Sequence, residues 1–338
     1  MNYKLLIMFL LISQCLWAFP IRVYDFRLPT STSSPVEAAM GGLNVASSDD
    51  FYLMFSNPSL LRELDKTNFS MSFVVPPSAY DRFADVVRTP PFLKNNNLRS
   101  LSLQSQQFGF GYLVLAEDRF TRTEVDSLGE KRRIYQDYRL NSYAVAFSDA
   151  VENVNWGLTG KFLSGRLVYL AENFIADDST FVRDEFIDSI ALGLSIDLGI
   201  SQRMGALTYG VMLYDVYSVI NWRGHRNGRI RTRMGAGLDL DTGNISIGAG
   251  MNSRWMFKEA PFYNAYYAYR FNIGHPDSMQ HSVLRAAVMS RHFRDADDVL
   301  FCFGIGYFFR IVRFDLSLQS KGWKANETQY MFSLSIGE

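Results

Sequence analysis

The chain has 338 residues, with 34 Lys+Arg balanced by 34 Asp+Glu, 48% hydrophobic residues and 15% aromatic ones. The balanced charge excludes a strong electrostatic pull toward nucleic acid. Its mean hydropathy of -0.05 and the lack of any long apolar run after the first residues exclude a bundle of membrane-spanning helices.

The N-terminus reads as a secretory signal peptide over residues 1–18. Lys4 precedes an apolar run from Leu5 to Ile12, and a small-residue cut follows Ala18. The run is too short to anchor the chain in a bilayer, and Gln14 before Cys15 is a poor lipoprotein site. Removing the leader leaves Cys302 alone, so a disulfide-stapled scaffold is excluded. An exported, aromatic-rich chain of average hydropathy without a spanning helix has the profile of a transmembrane β-barrel.

Next come small residues and turn signals. Ser34-Pro35-Val36-Glu37 is a capping box, which predicts a short helix ending at Gly41-Gly42. Asn57-Pro58 repeats the signal and predicts a second short helix through about Glu63. Ala38, Ala39, Gly41, Gly42 and Ala46 allow close packing against another backbone, as a plug inside a barrel requires.

From Phe69 onward the period is two. In Phe186–Gly199, the residues Ile190, Leu192, Leu194, Ile196 and Leu198 fall on one face, opposite Ser189, Gly193, Ser195 and Asp197. The same pattern returns in Gly243–Ser253 and in the last residues, Tyr330, Phe332, Leu334 and Ile336. Counting all such runs predicts about fourteen strands. Glycines recur on the small face, among them Gly109, Gly111, Gly157, Gly237 and Gly304, where something must approach the wall closely. Charged residues share that face: Asp197, Arg233, Asp239, Arg285, Arg313 and Asp315. In a soluble sandwich these would mark the solvated side; in a barrel they face the lumen. Trp156, Trp222, Trp255, Trp323, Tyr263, Tyr266, Tyr267 and Tyr269 lie near strand ends and read as interfacial girdles. Short links such as Asp241-Thr242-Gly243 read as turns. Tyr80–Asn97, Glu117–Asp137, Gly165–Glu185, Val219–Gly228 and Gly274–Gln280 read as outside loops.

No catalytic constellation emerges, and no enzyme is expected. His225, His275, His281 and His292 lack ligand spacing, there is no G-x-S-x-G elbow, and the G-x-G pairs sit in strands. Asp177-Asp178 with Asp184-Glu185 could ligate Ca²⁺ but read as a solvated acidic loop. No metal or other cofactor is expected.

The segment AAMGGLNVASSDDFYLMFSNPSLL resembles the N-terminal signature of the FadL-type superfamily of outer-membrane proteins. Together with FRLPTSTSSPVE before it and RELDKTNFSMSF after it, it is most similar to the PorV/PorQ branch, leaning toward PorQ. The resemblance implies an all-β, up-and-down antiparallel barrel of fourteen strands over residues 67–338, with residues 19–66 as a lumen hatch. Gly41, Gly42, Asp49, Asp50, Asn57 and Pro58 occupy the signature positions. It also implies an outer-membrane location in contact with lipid. The PorV/PorQ branch serves type IX secretion, so a secreted or surface protein is the expected partner. FadL carries fatty acids and other hydrophobic ligands, the alternative reading. Because the inner face reads as small and charged, docking is favoured over transport. Arg285 and Arg313 are expected to anchor the hatch through Asp49 and Asp50.

Overall fold

The computed structural model describes residues 32–42, 44–75, 97–125, 131–175, 180–224, 227–254, 261–272, 280–291, 293, 299–321 and 328–337. The signal-peptide segment, Trp255, Trp323, His225, His275, His292, Asp177 and Asp178 lie outside them.

Three short helical elements come first: α1 (Pro35–Ala39), α2 (Leu53–Ser56) and a 3-10 helix (Pro58–Glu63). Seven strands follow: β1 (Asn68–Val75), β2 (Leu98–Gln104), β3 (Phe108–Val125), β4 (Lys131–Val151), β5 (Val154–Ile175), β6 (Thr180–Met204) and β7 (Leu207–Trp222). Seven more complete the chain: β8 (Arg233–Asp241), β9 (Ile245–Arg254), β10 (Phe262–Asn272), β11 (Gln280–Ser290), β12 (Leu300–Phe309), β13 (Val312–Ser320) and β14 (Thr328–Gly337). Each pairs antiparallel with its chain neighbours, and β1 pairs with β14 from Asn68↔Gly337 to Val75↔Tyr330, closing the barrel.

Alternation decides which side each residue faces. Every strand exposes at least one large apolar side chain, from Phe69 in β1 and Leu103 in β2 through Leu194 in β6 to Phe314 in β13 and Ile336 in β14. An apolar band around the whole circumference is the surface of a transmembrane barrel, far larger than a soluble protein leaves in water. The charged face points inward. Asp197, Asp239, Arg285, Arg313 and Asp315 are all buried, which rules out the solvated side of a sandwich.

Four readings of the links change. β3 and β4 run to Val125 and from Lys131, and β5 and β6 run to Ile175 and from Thr180, so most of Glu117–Asp137 and Gly165–Glu185 is strand. Their residues keep the two-residue alternation, but with charges and aromatics mixed on both faces. With 18 to 25 residues against the roughly 9–11 that a membrane needs, β3–β6 stand well clear of the bilayer on one side. Val219–Trp222 likewise belongs to β7. Gly274–Gln280 lies outside the described residues except for Gln280, which pairs with Phe309 at the end of the short turns, opposite the extended strands.

The girdle reading also divides. Trp156 and Tyr267 are exposed, but Trp222 and Tyr266 are buried at 3% and 7% and point into the barrel. Each follows the inward parity of its strand, Trp222 with the buried Ile220 and Tyr266 with the buried Asn264.

Candidate functional site

The segment from Thr32 to Leu64 occupies the interior. Ser34 caps α1 by accepting from the Glu37 backbone N–H (2.9 Å). The Glu37 carboxylate reaches back to Ser33, accepting from its N–H at 2.6 Å and its hydroxyl at 2.7 Å. The helix ends where Gly41 and Gly42 take φ values of 83° and 76°. That left-handed turn brings Gly41 so close to Asn264 of β10 that a Cβ would lie 2.9 Å from the Asn264 Cβ.

An irregular segment inside a barrel carries carbonyls that no ladder satisfies, and the wall supplies their donors. Ser72 and Ser100 hydroxyls donate to the Ser33 carbonyl (2.9 and 2.7 Å), and Arg99 Nε donates to that of Thr32 (2.9 Å). Asn264 Nδ2 donates to Met40 O (2.7 Å), Gln319 Nε2 to Ala38 O (3.0 Å), Thr159 Oγ1 to Met54 O (3.0 Å) and the Tyr214 hydroxyl to Ser56 O (2.8 Å).

Asn57 is the hub at the lower end. Its Oδ1 accepts from the Ser59 N–H (3.2 Å) and hydroxyl (2.7 Å), while its Nδ2 donates to Val45 O (2.7 Å) and Ile200 O (3.3 Å). Pro58 starts the 3-10 helix and lies against Gly157 of β5, where any side chain would strike the Pro58–Ser59 backbone. The Ser59 hydroxyl oxygen in turn pairs with the Ser201 hydroxyl, which donates to it (2.8 Å).

Asp49 and Asp50 part company. Asp49 accepts from Arg285 Nη2 at 2.6 Å and lies 3.5 Å from Arg270 and 3.8 Å from Arg313. Arg285 and Arg313 are themselves bridged by Asp315, at 3.2 and 2.6 Å. The Arg313 guanidinium also lies 5.0 Å from the ring centroid of Phe51 and 4.4 Å from that of Phe308. Three arginines from β10, β11 and β13 thus converge on one carboxylate of the interior segment. Burial raises the Asp49 carboxyl, but Arg285, Arg313 and Arg270 outweigh it and bring its pKa down to about 2. Asp50 turns the other way and accepts from the Ser34 hydroxyl (2.5 Å). Burial pushes its pKa up to about 7, the Ser34 bond and Arg313 only partly opposing it.

The remaining expected charges do not join this cluster. Asp239 accepts from the Ser246 hydroxyl (2.5 Å). Arg233 stacks over Tyr214, 4.5 Å from the ring centroid. Asp197 belongs to a second buried group that sequence reasoning missed: Lys161 Nζ lies 2.7 Å from Asp197 and 2.5 Å from Asp215. Lys161 was legible, since it shares the inward parity of Thr159 and Leu163. Asp215 was not. Opposite Asp197, β7 inserts Tyr214, Asp215 and Val216 between the pairs Leu198↔Leu213 and Ile196↔Tyr217, with Asp215 at φ 54°. This bulge breaks the alternation by which inward residues are read.

Beside these charges lies an apolar interior. Leu113 and Leu115 of β3, Tyr138 and Leu140 of β4, Leu163 and Leu167 of β5, and Ile220 and Trp222 of β7 form one buried cluster with Leu53, Phe55, Leu60 and Leu61 of the interior segment. The expectation of a small and charged inner face is therefore corrected: it describes β8–β14, while on β3–β7 the inner face above the Lys161–Asp197–Asp215 group is largely apolar. Phe55, Leu113 and Leu115 meet Lys161, Asp197, Tyr214, Arg233 and Glu37 around a cavity of only about 30 Å³.

No protein-family profile matches the chain, and no curated protein does. Solved structures are similar to it. The Pseudomonas putida toluene transporter TodX aligns with a TM-score of 0.55 at 10% identity, covering 91% of this chain and 97% of that one. The Ralstonia pickettii toluene transporter TbuX aligns at 0.53 and 12%, covering 92% and 98%. A Pseudomonas aeruginosa FadL homologue aligns at 0.50 and 11%, covering 90% and 98%. Over nearly its whole length, then, the chain has the fold of the FadL-type barrels: fourteen antiparallel strands closed on themselves, with short helices near the N-terminus.

Proposed function

We propose that this protein is an outer-membrane channel through which an apolar small molecule enters, with residues 32–64 as the plug that gates it. The observation that carries the reading is the apolar column on the inner face of β3–β7, running down to Phe55 of α2. A water-filled pore lines its lumen with polar groups; this interior offers a hydrophobic path instead. At its foot stands a plug tied to the wall by side-chain hydrogen bonds, the Asp49 ion-pair cluster and the Glu63–Arg203 pair (3.3 Å), contacts that can be exchanged without unfolding the barrel. The fold shared with two toluene transporters and a FadL homologue agrees with it, as does the leader-like N-terminus.

Toluene titration in detergent tests the reading, with Trp222 in the column as reporter, alongside toluene entry into liposomes carrying the protein. A saturable Trp222 change, entry above that of empty liposomes, and loss of both in Leu163→Asp are expected. No Trp222 response and no entry above background would sink it.

A second reading keeps the docking role of the PorV/PorQ branch. It is favoured by the part of β3–β6 that stands clear of the bilayer, where cations lie over half-buried aromatic rings: Arg133 is 3.9 Å from the Phe181 centroid and Lys131 5.5 Å from that of Phe174. A stoichiometric secreted protein lost on Arg133→Ala and Phe181→Ala, with no toluene entry, would move the assignment there.

A further inference from the structure

The outer wall is apolar all round, but along β11 it is not flush. Ala286 faces outward between its direct cross-strand neighbours, Tyr267 of β10 and Phe303 of β12. One row nearer the short turns, Leu284 stands beside Ile305, which pairs with Leu316 of β13. A methyl flanked by large side chains leaves a groove of about 510 Å³ walled by these residues. Arg285 lies behind it, but its side chain is 1% exposed and its guanidinium is committed inward to Asp49 and Asp315. The groove thus offers an occupant shape and apolar contact and no charge.

A second feature lies on the same strip of wall. Arg310, in the turn between β12 and β13, is exposed, and its guanidinium is 5.6 Å from the ring centroid of Phe309. Phe309 shares the outward parity of Phe303 and Ile305, so this cation sits on the lipid side. Arg310 lies seven positions after Phe303. At ~3.3 Å per residue and a tilt of ~40° that is roughly 18 Å of depth. One leaflet of hydrocarbon is about 15 Å thick. A chain lying in the groove therefore places its head group at Arg310.

We infer that the groove along β11 seats an acyl chain of an anionic phospholipid, whose phosphate pairs with Arg310. That the lipid belongs to the periplasmic leaflet rests on the proposed outer-membrane orientation; the seat itself does not depend on transport.

The test is native mass spectrometry of the full chain in a mild detergent, titrated separately with palmitoyl-oleoyl phosphatidylglycerol and the matching phosphatidylethanolamine. The wild type is expected to keep one phosphatidylglycerol at activation energies that strip all others, with several-fold higher occupancy than phosphatidylethanolamine. Ala286→Trp, which fills the groove, should abolish retention of both lipids, and Arg310→Gln should erase only the preference. Heat-modifiable gel mobility checks folding, and Ala286→Ile serves if the tryptophan variant does not fold. Equal retention by wild type and the filled variant overturns the seat, as does loss of all lipid by the wild type. Equal occupancy by the two lipids in the wild type overturns the role of Arg310. Toluene entry measured on the same preparations keeps this inference separate from the channel reading, because either can fail while the other holds.

Discussion

The half of the barrel built from β3–β7 and the half built from β8–β14 follow the same two-residue alternation, yet apart from the Lys161–Asp197–Asp215 group of the first their interiors contrast. The first closes over Leu115, Leu140, Leu163, Leu167 and Trp222. The second turns Asp239, Arg285, Arg313, Asp315 and Gln319 inward. The difference follows where the N-terminal segment lies. α1 and its following turn rest on the second half, and their unpaired carbonyls and the Asp49 carboxylate require donors from the wall. The upper part of the first half has no such backbone to satisfy, and there apolar side chains pack on one another. A barrel interior is thus set strand by strand by what it must hydrogen-bond.

Breaking the charged half should have the largest effect. Arg285→Ala leaves Asp49 and Asp315 buried beside fewer cations, and removing one partner of a buried pair costs about 3–5 kcal/mol. Protease sensitivity of residues 32–64 and single-channel conductance should both rise; if neither moves, the cluster does not hold the plug.

In the apolar half, Leu163→Ala opens a cavity worth ~2–5 kcal/mol, so the barrel's unfolding midpoint should fall while plug proteolysis stays unchanged. An equal rise in plug cleavage would erase the contrast between the halves.

The contact of the 3-10 helix with β5 comes next. Gly157→Val meets the Pro58–Ser59 backbone and should loosen the plug by ~1–3 kcal/mol, whereas Gly160→Val, with open space around it, should not.

A pH series sharpens the role of the two neighbouring aspartates. Asp50, raised by burial to about 7, adds most to plug docking below about 3.8, and that contribution is lost as pH rises through 7. Asp49, held down to about 2 by its arginines, adds its share above about 3.8 and loses it as pH falls toward 2. Plug protection followed by proteolysis should decline as pH rises from about 4 to about 7 and level off above that, and Asp50→Asn should flatten the decline. A decline that survives the substitution belongs to another group.

The smallest effect is expected far from the plug. Arg119 and Asp137 pair at 2.9 Å on the projecting sheet with side chains 67% and 28% exposed, so Arg119→Ala should change stability by less than about 1 kcal/mol.

Much of this was legible from local chemistry. Alternation in Ile190–Leu198 marked the lipid face, the Ser34-Pro35 and Asn57-Pro58 signals marked two of the three short helical elements but not the uncapped α2, and parity turned Arg285, Arg313 and Asp315 inward. Other features were not. Glu117–Asp137 looked like a loop because its strands leave the membrane and mix charges with aromatics. Trp222 looked interfacial because it lies near a strand end, yet it shares the inward parity of Ile220 and packs in the buried cluster. Nothing local marks the inward leucines of β3–β5, because within one strand an apolar residue facing in resembles one facing out.

What the sequence determined by itself is whatever depends on neighbours one to four residues apart: strand period, helix caps and the sidedness of each strand. Only the tertiary structure decided which inward residues meet. Asp49 joins three arginines from three strands, and Lys161 joins an aspartate displaced by a bulge. Such meetings depend on strand register and barrel closure, which bring together residues more than 200 positions apart, and no local preference encodes them.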